Sequence, residues 1–227
     1  MRYLKPNEGL KVFDIKFDVT TAGPSNNDNK RIELFLLGCD KAMRNDPCIG
    51  CFNSLLWDDS KAEFSRDVAE LAMWIIDRTP NKNKRYITIG GAEPTYQINH
   101  LIPFCKILKE HGFHIMIYTY RELEYELNIN NSLNNKYYNV PNKIDIDKWN
   151  ELFLYTDIVV DGPFVEDKKV YKEDANDGFL NSIGSSNQKI WDIRHYREFG
   201  ELRGYQMENI AELKLNHNND LIYYLKQ

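Results

Sequence analysis

Cysteine is scarce in this chain. Four in 227 residues are too few for a disulfide scaffold. Also missing is any apolar run near the ~20 residues that cross a bilayer. Residues 1–10 carry no apolar stretch of the signal-peptide kind, so the expectation is a cytoplasmic protein with no membrane partner. Basic charge is not in excess either. Lys and Arg number 29 against 34 Asp and Glu, a net charge of −5, which argues against direct nucleic-acid binding, because that relies on basic patches. No internal repeat and no Gly-, Pro- or Ser-rich linker divides the chain. A single domain over 1–227 is therefore expected. The remaining composition, 42% hydrophobic and 28% charged, is that of a globular protein able to bury a sizeable core.

Hydrophobic periodicity supplies the coarse architecture. Residues 10–20 alternate apolar and polar, as a half-buried strand does. Residues 22–30 are turn chemistry, and 32–37 form a short buried strand ending at Gly38. Residues 40–57 lose any period and read as an ordered loop. Helical spacing over 60–78 stops at Thr79-Pro80. Strands follow at 85–89, 113–118, 156–160 and 189–193, with helices at 98–110, 121–127 and 145–154. The Asn-rich stretch 128–142 has no period and reads as an exposed insertion. The pattern is weak over 198–227, where a last helix is expected near 220–226. Strands alternating with helices predict an α/β fold with a mostly parallel sheet. Ligands of such sheets sit beyond the carboxyl ends of the strands. Cys39, Gly90-Gly91, Thr119-Tyr120 and Asp161-Gly162 all follow strands and should converge there.

Three of the four cysteines, Cys39, Cys48 and Cys51, are spaced C-x8-C-x2-C. In a reducing compartment, clustered thiols point to metal or redox chemistry. Thiolates suit iron–sulfur clusters and zinc alike. A structural zinc site wants four protein ligands. The fourth cysteine, Cys105, falls within a helical apolar pattern and reads as core. Three ligands can hold a four-iron cluster and leave one iron open to a substrate or cofactor. The segment Gly90-Gly91-Ala92-Glu93-Pro94 allows close backbone approach to a ligand and offers a carboxylate to a cationic group. Taken alone it is equally an ordinary strand-to-helix turn with Pro94 near the helix start.

Taken together, these segments resemble radical S-adenosylmethionine enzymes, and more closely the activating enzymes of anaerobic (class III) ribonucleotide reductases. Gly38-Cys39 and Cys48-Ile49-Gly50-Cys51-Phe52-Asn53 are similar to that family's GC…CPGCxN. Gly90 to Pro94 are similar to its GGEP, and Tyr118-Thr119-Tyr120 to its YTG. Asp157 to Phe164, with Gly184 to Gln188, are similar to its D-x-x-x-DGPF and GSxNQ, which are the most specific of the four matches. The resemblance runs from about residue 10 to 194.

It implies a radical-enzyme fold, an incomplete (β/α)6-type barrel, with a [4Fe–4S] cluster on Cys39, Cys48 and Cys51. S-adenosylmethionine would bind the open iron, its methionine end received by Gly90, Gly91 and Glu93, with Gly50 and Phe52 lining the same pocket. Asn53, Thr119, Tyr120, Asp161 and Asn187 are further pocket candidates, each equally able to serve a turn or cap. The implied reaction is reductive cleavage of the cofactor to a 5′-deoxyadenosyl radical, which takes a hydrogen from a glycine of the anaerobic ribonucleotide reductase. A low-potential electron donor such as flavodoxin is the implied second partner. Two departures stand out. Five extra residues separate the first two cysteines relative to the family's C-x3-C, and Ala92 is extra in the glycine motif. A small-molecule radical enzyme of deazapurine-synthase type, and a zinc-stabilised binding module without catalysis, are the competing readings.

Overall fold

The computed structural model describes residues 3–4, 8–20, 23–26, 30–62, 65–127, 143–170, 183–206 and 210–225. Its strands are β1 (Tyr3–Leu4), β2 (Val12–Val19), β3 (Arg31–Leu36), β4 (Ser65–Arg66), β5 (Tyr86–Gly91), β6 (His114–Tyr118), β7 (Ile158–Asp161), β8 (Lys189–Asp192), β9 (Arg203–Gln206), β10 (Ile210–Leu215) and β11 (Leu221–Leu225). The helices are α1 (Asp40–Met43), α2 (Val68–Arg78), α3 (Ile98–Glu110), α4 (Leu123–Glu126), α5 (Ile146–Phe153) and α6 (Ile193–Phe199).

Seven strands form one sheet in the order β2-β3-β5-β6-β7-β8-β9. The central four, β3, β5, β6 and β7, run parallel. The edges are antiparallel: β2 on one side, β8 and β9 on the other. The protein is thus a mixed α/β structure with a mostly parallel central sheet, as the alternation of strands and helices predicts. No helix among the described residues is long and apolar enough to cross a membrane.

Each face of the sheet follows from alternation along the strands. On β3, Ile32, Leu34 and Leu36 point to the helices and join the main core with Ile87, Ile89, Ile115 and Ile117. Leu71, Ile75 and Ile76 of α2, and Leu101, Phe104, Cys105 and Leu108 of α3, cover that face. Cys105 is fully buried here, as its helical spacing predicts. The other face carries Tyr86, Met116, Ile158, Val160 and Ile190, and the antiparallel hairpin β10–β11 packs on it through Leu213 and Leu215.

Three expectations are corrected. The helix expected from residue 60 begins at Val68, because the Asp67 side chain accepts a hydrogen bond from Glu70 N at 2.9 Å and caps it, as Asp does at an N-cap. Ser65–Arg66 instead pair with β1. The expected loop 40–57 contains α1 and a short 3-10 turn, Ser54–Leu56. The expected C-terminal helix is strand β11. Its Ile222, Tyr223 and Tyr224 are β-formers, and Asn219 takes a positive φ of 65° in the turn that precedes it. The Asn-rich stretch 128–142 lies outside the described residues.

Candidate functional site

The first cysteine is delivered by β3. Beyond its end, Gly38 N donates to Leu56 O at 2.8 Å and Cys39 N to Trp57 O at 3.0 Å. The cysteine-bearing loop 38–57 is therefore closed at its base by two backbone hydrogen bonds. Between Cys39 and Cys48 the loop forms α1 and the turn after it. There Asn45 adopts a φ of 60° and the Lys41 ammonium meets the Asp46 carboxylate. Asp40, at the start of α1, ties this loop to the residues that follow β6. Tyr120 Oη donates to its Oδ1 at 3.0 Å and Arg121 Nη2 to its Oδ2 at 2.7 Å.

The glycine motif is laced to the same loop. Ala92 N donates to Leu36 O at 2.9 Å and Glu93 N to Gly38 O at 3.0 Å. The two glycines do different things. Gly91 has a φ of +101°, and a Cβ there would stand 2.4 Å from the Leu36 backbone, so only glycine permits this strand approach. A Cβ on Gly90 would meet Tyr118 Cδ2 at an ordinary 3.7 Å. Its lack of a side chain leaves room in the cavity rather than relieving a clash.

Glu93 is completely buried. Its Oε1 accepts from Thr95 N (3.0 Å), Thr95 Oγ1 (2.6 Å) and Thr119 Oγ1 (3.0 Å), and its Oε2 from Tyr120 N (2.8 Å). Burial pushes its carboxyl above the usual range, while the Arg121 guanidinium pulls it back. The motif's carboxylate thus binds the ends of β5 and β6 together.

The last two motifs form the opposite wall. Gln188 Oε1 accepts from Gly184 N (3.0 Å) and Ser185 N (3.2 Å), and its Nε2 donates to Gly162 O (3.0 Å). Asn187 Nδ2 donates to Pro163 O at 2.9 Å. The Phe52 and Phe164 rings, with centroids 4.8 Å apart, join this wall to the cysteine loop.

Between these walls, at the carboxyl ends of the parallel strands, lies a cavity of about 290 Å³. Of the residues proposed from sequence, Cys39, Cys48, Cys51, Phe52, Asn53, Gly90, Gly91, Thr119 and Tyr120 line it. Gly50, Glu93, Asp161 and Asn187 are not on the lining. Gly50 is exposed with a φ of +71°, and Asp161 is buried with its Oδ2 accepting from Leu123 N at 2.7 Å. Tyr118, Gly162, Phe164, Gly184 and Gln188, which belong to the motifs quoted above, also line the cavity, together with Glu33, Phe35, Trp57 and Thr88, which stand in no motif. For Glu33, Phe35 and Thr88 the signal was strand alternation: they are the positions opposite the core residues of β3 and β5.

Burial pushes the Cys39 thiol up to about 12, with the Glu93 carboxylate adding to the shift. Burial also raises Cys48, opposed by the nearby Lys41 ammonium. These thiols are protonated until a cation displaces the proton, so metal loading here releases protons. Among the described residues, no group of three or more His, Cys, Asp or Glu is gathered to hold a single metal ion. All three clustered thiols line the cavity, and in an iron–sulfur cluster each iron takes its own thiolate.

Comparison with known proteins agrees with this donor set. A family model described as a 4Fe-4S single cluster domain matches residues 26–191. No curated protein matches the chain.

Proposed function

The chain belongs to the family of 4Fe-4S single cluster domains, and from that premise we propose that it is a radical S-adenosylmethionine activating enzyme, one that installs a glycyl radical on an anaerobic ribonucleoside-triphosphate reductase. The observation that carries this reading is the shared cavity. Three thiols, the bare Gly90 and the walls built from the DGPF and GSSNQ segments meet in one place, at the carboxyl ends of parallel strands. The parallel strands β3, β5, β6 and β7, with α2 and α3 on one face, support an incomplete (β/α)6-type barrel in a single radical-enzyme domain.

Cys39, Cys48 and Cys51 would hold the cluster and leave it open to S-adenosylmethionine. When bound and reduced, the cluster would supply the electron for reductive cleavage of the cofactor's sulfonium C–S bond to methionine and a 5′-deoxyadenosyl radical. The chain's own residues position and shield. Gly90 leaves space on the wall for the methionine end. Glu93 is a positioning residue, because its oxygens are occupied by Thr95, Thr119 and Tyr120. It holds Thr119, which lines the cavity, against the glycine turn. Phe52, Phe164 and Trp57 supply apolar wall that keeps water from a reactive species.

The test is anaerobic reconstitution with iron and sulfide, reduction, and addition of S-adenosylmethionine. A reduced four-iron paramagnetic signal that changes with the cofactor is expected, together with 5′-deoxyadenosine. On adding the reductase, a glycyl radical signal is expected. Cofactor cleavage without that signal would move the assignment to a small-molecule substrate. Folded protein with neither cluster nor cleavage would overturn the radical reading.

A further inference from the structure

The inner wall of the cavity carries a carboxylate that the proposed chemistry does not use. Glu33 is half-buried on β3, on the face opposite Ile32 and Leu34, and it lines the cavity with Phe35 two residues further on. Among the described residues its carboxylate has no hydrogen bond and no ion pair. Its register partner on β2, Lys16, acts on it only from a distance. Lys16 instead rests its ammonium 5.0 Å from the Phe35 ring centroid. Tyr118 stands on the same wall, close to Gly90, the register partner of Phe35.

A half-buried carboxylate without a partner is costly unless a ligand brings the opposite charge. Aromatic rings on the same wall add a second attraction for cations, and the Lys16 ammonium near the Phe35 ring is an instance of it. We propose that Glu33, with the rings of Phe35 and Tyr118, is a recognition subsite for an organic cation on the wall of this cavity. The inference rests on the cavity's being the seat of the cluster and S-adenosylmethionine. Two sources supply such a cation: the cofactor's own sulfonium, or a guanidinium or ammonium of the substrate segment that yields the hydrogen.

The experiment measures binding, by anaerobic titration of the reconstituted holoprotein, for two matched pairs of probes. S-adenosylmethionine is compared with S-adenosylhomocysteine, which lacks the sulfonium charge, and Nα-acetyl-argininamide with the neutral Nα-acetyl-citrullinamide. Glu33→Gln should weaken the charged member of at least one pair about tenfold and the other member less than twofold, as expected for loss of a charge-assisted contact. Phe35→Leu should weaken the same member by a smaller factor, which covers the case in which Glu33→Gln fails to fold. Sensitivity of the first pair assigns the cation to the cofactor, and sensitivity of the second assigns it to the substrate. If neither pair is discriminated by the wild type, or if discrimination survives both substitutions, there is no subsite. Absence of cluster and cofactor cleavage in the wild type would instead fail the radical reading, while the argininamide pair would still report on Glu33.

Discussion

Arg121 Nη2 lies 2.7 Å from Asp40 Oδ2, and Asp40 is the residue that follows Cys39. Arg121 also reaches Thr95 Oγ1 at 3.1 Å and Glu126 Oε1 at 3.3 Å. One buried guanidinium thus joins the cysteine loop, the glycine turn and α4. Removing one partner of such a buried pair costs about 3–5 kcal/mol, because the other charges are left uncompensated. Arg121→Met should therefore lower the urea midpoint markedly and reduce iron retained per chain. Wild-type stability in that variant would show the network to be idle.

The two glycines should separate in experiment. Gly91→Ala forces a Cβ into the Leu36 backbone at 2.4 Å and strains a positive φ, for about 1–3 kcal/mol from the strain alone. It should yield little soluble protein. Gly90→Ala should fold with nearly the wild-type melting temperature, yet bind S-adenosylmethionine about tenfold more weakly, a loss of about 1.4 kcal/mol. Equal melting temperatures for the two variants would refute the distinction.

The cysteines should separate as well. Cys48→Ala should abolish cluster assembly and cofactor cleavage together. Cys105→Ser, in the core of α3, should keep full iron and sulfide while losing about 1–3 kcal/mol for a buried hydroxyl. Iron and sulfide analysis on folded protein decides both. A fully loaded Cys48→Ala protein would remove Cys48 from the ligand set.

Asp161 gives a pH dependence of known sign. Burial pushes its carboxyl up to about 7 from an ordinary 3.8. The native state therefore prefers the protonated form. The contribution to stability is complete below about pH 4 and is lost as pH rises through about 7. Asp161→Asn keeps an oxygen to accept from Leu123 N and removes the titration. Urea unfolding of both proteins from about pH 4 to about pH 8 should show the wild type losing ground to the variant. A constant difference across that window would contradict the shift.

Much of this fold could be read from periodicity. The 3.6-residue spacing of Leu101, Ile102, Cys105 and Leu108 marked α3, and the apolar runs before Gly38, Gly90 and Asp161 marked β3, β5 and β7. These segments bury one face or both, so pattern and packing agree. Where a polar side chain sets an element's limit, the pattern misled. Asp67 caps α2 so that it starts at Val68, eight residues after the helical spacing begins. Residues 220–226 carry too few core positions to tell strand from helix. The site was legible where glycine, cysteine and asparagine stand in unusual combinations. It was illegible at Glu33 and Thr88, ordinary residues on ordinary strands whose importance comes only from facing the cavity. Glu93 was the reverse case. The motif drew attention to its charge, and folding spends that charge on Thr95, Thr119 and Tyr120.

Leu213 and Leu215 of the β10–β11 hairpin pack against Met116, Ile158 and Val160, and Tyr86 Oη donates to Asn219 Oδ1 at 2.7 Å, so the hairpin acts as a floor near the amino ends of the parallel strands. Among the described residues, the cysteine loop and the hairpin therefore cover opposite ends of one sheet face.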